Sequence, residues 1–261
     1  VVIILIKESL EFEFSYWKKW KLNFIGGYLD SVFLLFAIIM LIRFRSGGTP
    51  LSSEDYAFFI IGFLSSYLVT SIFARMDTPK NYAKYDIYEW ISSSKTSMFH
   101  ILIAERIWIF VRHITPGIIG LVAYFTYLSV PFKIHLFSIG ILTIGWLGCV
   151  GFNFILMSLS LLYGKVQGIS GWLSLLLTYF LIGIFFPVKM LPANLWIVSL
   201  AFPPTYTIDL TRHLVLSQDL ILGSFSVEVA CLLILNTVLL ILGVKLFERA
   251  DRRVRQGGLS F

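Results

Sequence analysis

Between His135 and Lys165 the chain carries no charged side chain. A run of that length exceeds the roughly 20 apolar residues that cross a bilayer core. Nothing else in the sequence constrains the fold as strongly, and similar runs recur along the chain. Of the 261 residues, 57% are hydrophobic and 14% are charged, whereas soluble domains carry about 25% charged residues. A mean hydropathy of +0.84 points the same way. A disordered chain, a secreted disulfide scaffold and an ordinary cytosolic enzyme are all excluded. Cys149 and Cys231 both lie in apolar runs, and no Cys/His cluster with metal-ligand spacing occurs.

The sequence predicts an all-α membrane protein, residues 1–261 forming one transmembrane domain. Six spans are expected within 22–247, near 22–42, 56–74, 107–128, 136–161, 172–188 and 221–247. Pro116 should kink the third, and the fifth should end at Pro187. The first apolar run, Val1 to Ile6, is too short for a signal peptide. Residues 1–21 read instead as an amphipathic interface helix: Ile3, Ile6, Leu10, Phe14 and Trp17 recur at helical spacing, with Lys7, Glu8, Glu11, Ser15 and Lys18 between them. The segment 188–220 carries Pro192, Pro203 and Pro204 and is too broken for a span. It reads as short helices forming a re-entrant outer hairpin between spans 5 and 6.

Lysine and arginine set the orientation. With the N-terminus inside, most of them fall on the inner side: Lys18, Lys19 and Lys21, then Arg75 to Arg106, then Lys165 and the basic tail 248–261. Arg43, Arg45, Lys133, Lys189 and Arg212 fall outside. Both termini are thus expected in the cytosol of a multi-pass protein. The net charge of +6 follows span ends rather than one face, so no nucleic-acid partner is implied. The inner segment 75–106 is the longest, and loops of such length usually have a task.

No G-x-x-x-x-G-K-[ST] loop is present, so ATP cannot be bound by that route. Gly168-Ile169-Ser170-Gly171 resembles the G-x-S-G of rhomboid intramembrane proteases. Their general base is a histidine in the last span, and here 221–247 contains none. The motif therefore reads as a turn between spans 4 and 5. Intramembrane ionisable groups suggest function, which makes Asp30 and Glu228, taken as about two turns into span 6, pathway candidates. Glu105, Arg106 and Arg112 read instead as an inner helix end with snorkelling cations. Gly140, Gly145, Gly148 and Gly151 should allow close helix approach.

After span 5 the residues run Phe186-Pro187, Leu191-Pro192, Leu195, Pro203-Pro204-Thr205-Tyr206, Asp209 and Arg212. This order resembles the "FP…LP…P-T-Y…D…R" series between the last two spans of the transmembrane subunits of type 2 ABC exporters, the ABC2-type permease family. Tyr88-Glu89-Trp90-Ile91, followed by Ser92 to Ser97, is similar to that family's inner-loop "G-T-L-E-x-L…SP-x-S". Here Asp86-Ile87-Tyr88 stands where G-T-L is usual, and no proline follows the serines.

The resemblance covers about residues 5–250. It implies a permease in the plasma (inner) membrane, pairing with a second, identical or related permease chain and driven by two cytosolic ABC ATPase subunits. ATP and Mg would be held by those partners and no cofactor by this chain. Tyr85, Tyr88, Glu89 and Trp90 would couple to the ATPases. Pro187, Pro192, Pro203, Pro204, Tyr206, Asp209 and Arg212 would form the outer hairpin. An amphipathic drug, lipid or glycoconjugate would move outward. An ion-coupled secondary transporter is the main alternative, with 3+3 inverted repeats as its usual mark.

Overall fold

The structure, a computed structural model, describes residues 52–73, 98–110, 136–163 and 167–257 continuously. It also describes the single residues Lys7, Glu11, Phe14, Ser15, Lys18, Lys19, Phe36, Met40, Met76, Thr78, Pro79, Tyr82 and Ile91. Most of spans 1 and 3, Asp30, and Tyr85, Tyr88, Glu89 and Trp90 lie outside these residues. The described residues are helical, with no strand among them.

Helix α1 spans Ser53–Phe73. Ser52 and Asp55 start it with a reciprocal cap: the Asp55 amide donates to Ser52 Oγ at 3.1 Å, and the Ser52 amide donates to Asp55 Oδ2 at 3.2 Å. Two amides that would otherwise lack partners are thereby satisfied. A second helical stretch, α2, covers 98–110. The sequence places 98–106 in a cytosolic loop, yet Met98, Leu102 and Ala104 are buried in the core. Glu105 and Arg106 are buried as well, 3.3 Å apart. The snorkelling expected of Arg106 is replaced by burial and pairing.

Helix α3 is Leu136–Tyr163 and α7 is Phe225–Gly257. Both contain helix long and apolar enough to cross a membrane, Phe137–Tyr163 and Phe225–Gln256. They differ in setting: 56% of the most apolar window is buried in the first and only 22% in the second. So α3 is the central helix, and α7 presents an apolar face, including Ile234, Val238 and Ile241, to its surroundings. The 33 residues of α7 extend about 50 Å, well beyond an apolar core of about 30 Å. Its last turns are the basic segment that the sequence reads as a tail. There Phe247, Ala250 and Val254 pack inward beside Met98, Leu102, Phe154 and Met157, while Arg249, Arg252 and Arg253 stay exposed.

Close contact between α3 and α7 rests on glycines. A Cβ on Gly151 would lie 2.6 Å from the Leu239 carbonyl carbon, and one on Gly243 would collide with the Gly151 carbonyl oxygen. Gly145 and Gly148 face Thr207 and Asn236 in the same way, whereas Gly140 faces open space. Two buried asparagines add cross-helix bonds. Asn236 Nδ2 donates to Ile144 O at 2.7 Å, and Asn153 Nδ2 donates to Ile72 O on α1. In an apolar setting such bonds and small residues supply the attraction that hydrophobic burial does not.

After α3, helix α4 (Gln167–Leu176) runs into a π-helical turn, Leu177–Leu181. Ser170 therefore sits in the first turn of a helix, not in a turn between two spans as the sequence suggested. The ten residues and five residues of these elements reach about 22 Å. The helix ends short of Pro187, where the fifth span was expected to stop. A 3₁₀ turn, Val188–Met190, and two short helices follow, α5 (Ala193–Ser199) and α6 (Pro203–Leu216).

Adding one methyl at Gly151 should separate the α3 and α7 backbones. Gly151→Ala is expected to lower stability by about 1–3 kcal/mol, as overpacking does, whereas Gly140→Ala, whose methyl meets open space, should raise it by about 0.5–1 kcal/mol. Unfolding midpoints of the two purified variants in mild detergent check this.

Candidate functional site

The break after Leu181 decides what surrounds the site. Leu181, Ile182 and Ile184 are buried, so carbonyls released where the helix stops cannot turn to water. Gly183 adopts φ 75°, which lets the chain reverse there. Side chains from the next elements take up the carbonyls. Ser199 Oγ donates to Leu181 O, and Thr205 Oγ1 donates to Ser199 O at 2.7 Å.

Arg212 does the rest. Its Nη1 donates to Gly183 O, and its Nη2 donates to Ile184 O at 2.6 Å and to Phe58 O of α1 at 3.1 Å. The guanidinium carbon lies 3.5 Å from the centroid of the Phe58 ring. The residue is 3% exposed. One planar cation therefore joins α1, the break and α6. Burial draws the guanidinium below its ordinary pKa, and Asp209 opposes that shift. Gly62 leaves the space: a Cβ there would collide with Arg212 Nη2 and the Ile184 carbonyl oxygen.

Pro203 and Pro204 open α6 at positions where a helix has no use for an amide proton. They direct one face of α6 to α3 and α7, and Tyr206, Asp209 and Arg212 follow at intervals of three. Helix α6 ends at Ser217 in the left-handed conformation, whose amide donates to His213 O. The connection to α7 is then held by two carboxylates on two successive amides. Ile221 N donates to Asp209 Oδ2 at 2.8 Å, and Leu222 N donates to Glu228 Oε1 at 2.6 Å. Glu228 lies in the first turn of α7 and is wholly buried. The sequence places it deeper; the helix in fact starts at Phe225, because 217–224 forms the turn.

The carboxyls of Asp209 and Glu228 are thus brought side by side by the successive Ile221 and Leu222 amides. Burial pushes the Asp209 carboxyl above its ordinary range, while the Ile221 amide, Glu228, Arg212 and Lys189 pull it down. The Tyr206 phenol is raised first by burial and then by the nearby Cys231 and Glu228. Thus Tyr206, Asp209, Arg212 and Glu228 converge, although Glu228 belongs to a different element and a different sequence argument. Pro187 and Pro192 remain exposed at turn starts, where their carbonyls accept from Met190 and from Leu195 and Trp196. Phe58, Gly62, Gly183 and Ser199 were not singled out from sequence, and Lys189 only as a cation on the outer side. Of these, Gly183, three residues ahead of Phe186 in the Phe186-Pro187 pair, was the one readable signal of a reversal. No group of three or more metal-ligating side chains is found among the described residues.

Replacing Arg212 by methionine keeps much of the volume and removes every donor. Each buried carbonyl left without a partner costs about 1–3 kcal/mol. Arg212→Met should therefore lower the unfolding midpoint far more than Arg212→Lys, read by thermal unfolding in detergent. Compared with known proteins, the chain matches no family model and no curated protein, so its role has to be argued from these residues.

Proposed function

We propose that the chain is the membrane-spanning permease subunit of an ATP-driven exporter, moving an amphipathic substrate outward with energy from separate ATPase subunits. The observation that carries this is the ordered series Phe186 to Arg212, which resembles that of type 2 ABC exporter permeases and whose members Tyr206 and Arg212 are buried on α6 with the half-buried Asp209 between them. Six spans, cytosolic termini and an outer re-entrant hairpin belong to this proposal. So do a second permease chain and the segment around Tyr85, Tyr88, Glu89 and Trp90 as the ATPase contact. On this reading hydrolysis belongs to a partner, since the sequence carries no phosphate-binding loop.

One observation favours a gradient-driven carrier instead: the wholly buried Glu228 beside the half-buried Asp209, a carboxyl pair of the kind used in proton-coupled transport. The two readings separate on energy source. The full-length tagged chain, purified from its native membrane in mild detergent, should retain a nucleotide-hydrolysing subunit. The chain stripped of that subunit should hydrolyse no ATP. Glu89→Arg, placing a cation where an acidic side chain would meet a basic cleft, should reduce retention of the subunit, while Lys133→Glu should not. Purification without any ATPase, together with flux in proteoliposomes driven by an ion gradient alone, would contradict the exporter and support the carrier.

A further inference from the structure

The function proposed above leaves the Asp209–Glu228 contact unused. Two carboxyls from different helices meet at the α6–α7 junction, and each already spends one oxygen on a backbone amide. The remaining oxygen of Glu228, Oε2, is buried and receives no donor. Buried acceptors are almost always satisfied. The charged and titratable groups around the pair do not neutralise it. Arg212, one turn along α6, is committed to the Phe58, Gly183 and Ile184 carbonyls. Lys189 is exposed and acts on both carboxyls from a distance. Tyr206 and Cys231 lie nearby and supply no cation. Among the described residues no cation stands within ion-pair distance of either carboxylate. Two carboxylates on successive amides repel each other, which favours the state in which one of them keeps a proton.

We infer that Asp209 and Glu228 form a binding site for a single proton, held between the two carboxyls, and that its occupancy latches the 217–224 connection to the helices on either side. With the proton present, one carboxyl donates its O–H to the other, and the Ile221 and Leu222 amides stay bound. When it leaves, two negative charges oppose each other across the junction and the connection loosens. The direction follows from the fold. A carboxyl that holds its proton more tightly when folded than when unfolded contributes stability that is full below the ordinary carboxylate range and is lost as pH rises through the ionisation of the pair. The inference does not depend on the energy source of transport.

Infrared spectroscopy of the purified full-length chain reads the protonated-carboxyl stretch directly. The expected result is a band that persists at neutral pH, where ordinary aspartates and glutamates are ionised, and that is lost in both Asp209→Asn and Glu228→Gln. Both substitutions keep shape and hydrogen-bonding capacity, and the wild-type titration stands even if one of them fails to fold. No such band in the wild type at neutral pH overturns the site, and a band surviving in either variant overturns the sharing. Hydrogen exchange at the Ile221 and Leu222 amides, corrected for intrinsic rate, should quicken over the pH range in which the band disappears. Unchanged exchange across that range would overturn the latch.

Discussion

A helix that stops among apolar side chains leaves carbonyl oxygens that water cannot reach. In this chain the stop falls at Leu181 to Ile184, and a buried guanidinium answers it. Arg212 suits the task because its donors lie in one plane and diverge, so Gly183, Ile184 and Phe58 can be served together. A lysine could reach one or two of these carbonyls but would not stack on the Phe58 ring as well. The guanidinium stays acceptable without a salt bridge because three carbonyl dipoles and an aromatic face surround it, with Asp209 adding a longer-range attraction.

Everything around the site follows from where Arg212 fixes α6. With α6 held against α1, Tyr206 and Asp209 turn toward α7, and Asp209 meets Glu228 at the start of that helix. The same placement packs Thr207 into the space left by Gly145, while Gly151 and Gly243 bring α3 and α7 together. The junction is thus built of polar side chains spending their capacity on backbone atoms, in a part of the molecule with little access to water. Such an arrangement is costly to disturb, because removing any one member leaves its partners buried and unsatisfied.

The parts of this architecture that depend on local pattern were legible in the sequence. Uncharged runs marked α3 and α7, and the proline-punctuated segment from Val188 to Leu220 marked short elements. The repeat of Gly145, Gly148 and Gly151 marked a close helix contact. What depends on packing was not legible. Glu228 looked like an intramembrane charge inside a long helix, because span 6 reads from sequence as starting at 221, whereas Ser217 and Gly223, both at positive φ, turn the chain and delay the start of α7. Arg106 looked like a cation at a helix end, because pairing with its neighbour Glu105 matters only once both are buried. The stop at Leu181 was masked by apolar residues that continue to Phe186, so only the later proline drew notice. The role of Arg212 is the clearest case: a lone arginine near a hairpin carries no mark of the three carbonyls, from two other elements, that it will serve.

The central claim is that Arg212 and the approach of α1 to the break are one interaction. A double-mutant cycle on stability with Gly62→Ala and Arg212→Ala tests it most directly. Gly62→Ala alone pushes a methyl into Arg212 and the Ile184 carbonyl and should destabilise strongly. Once Arg212 is gone the break is no longer held against α1, so the added methyl should matter little. The two changes should therefore be non-additive, with a coupling of about 0.5–3 kcal/mol. Additive losses, each as large in the presence of the other as alone, would contradict the account.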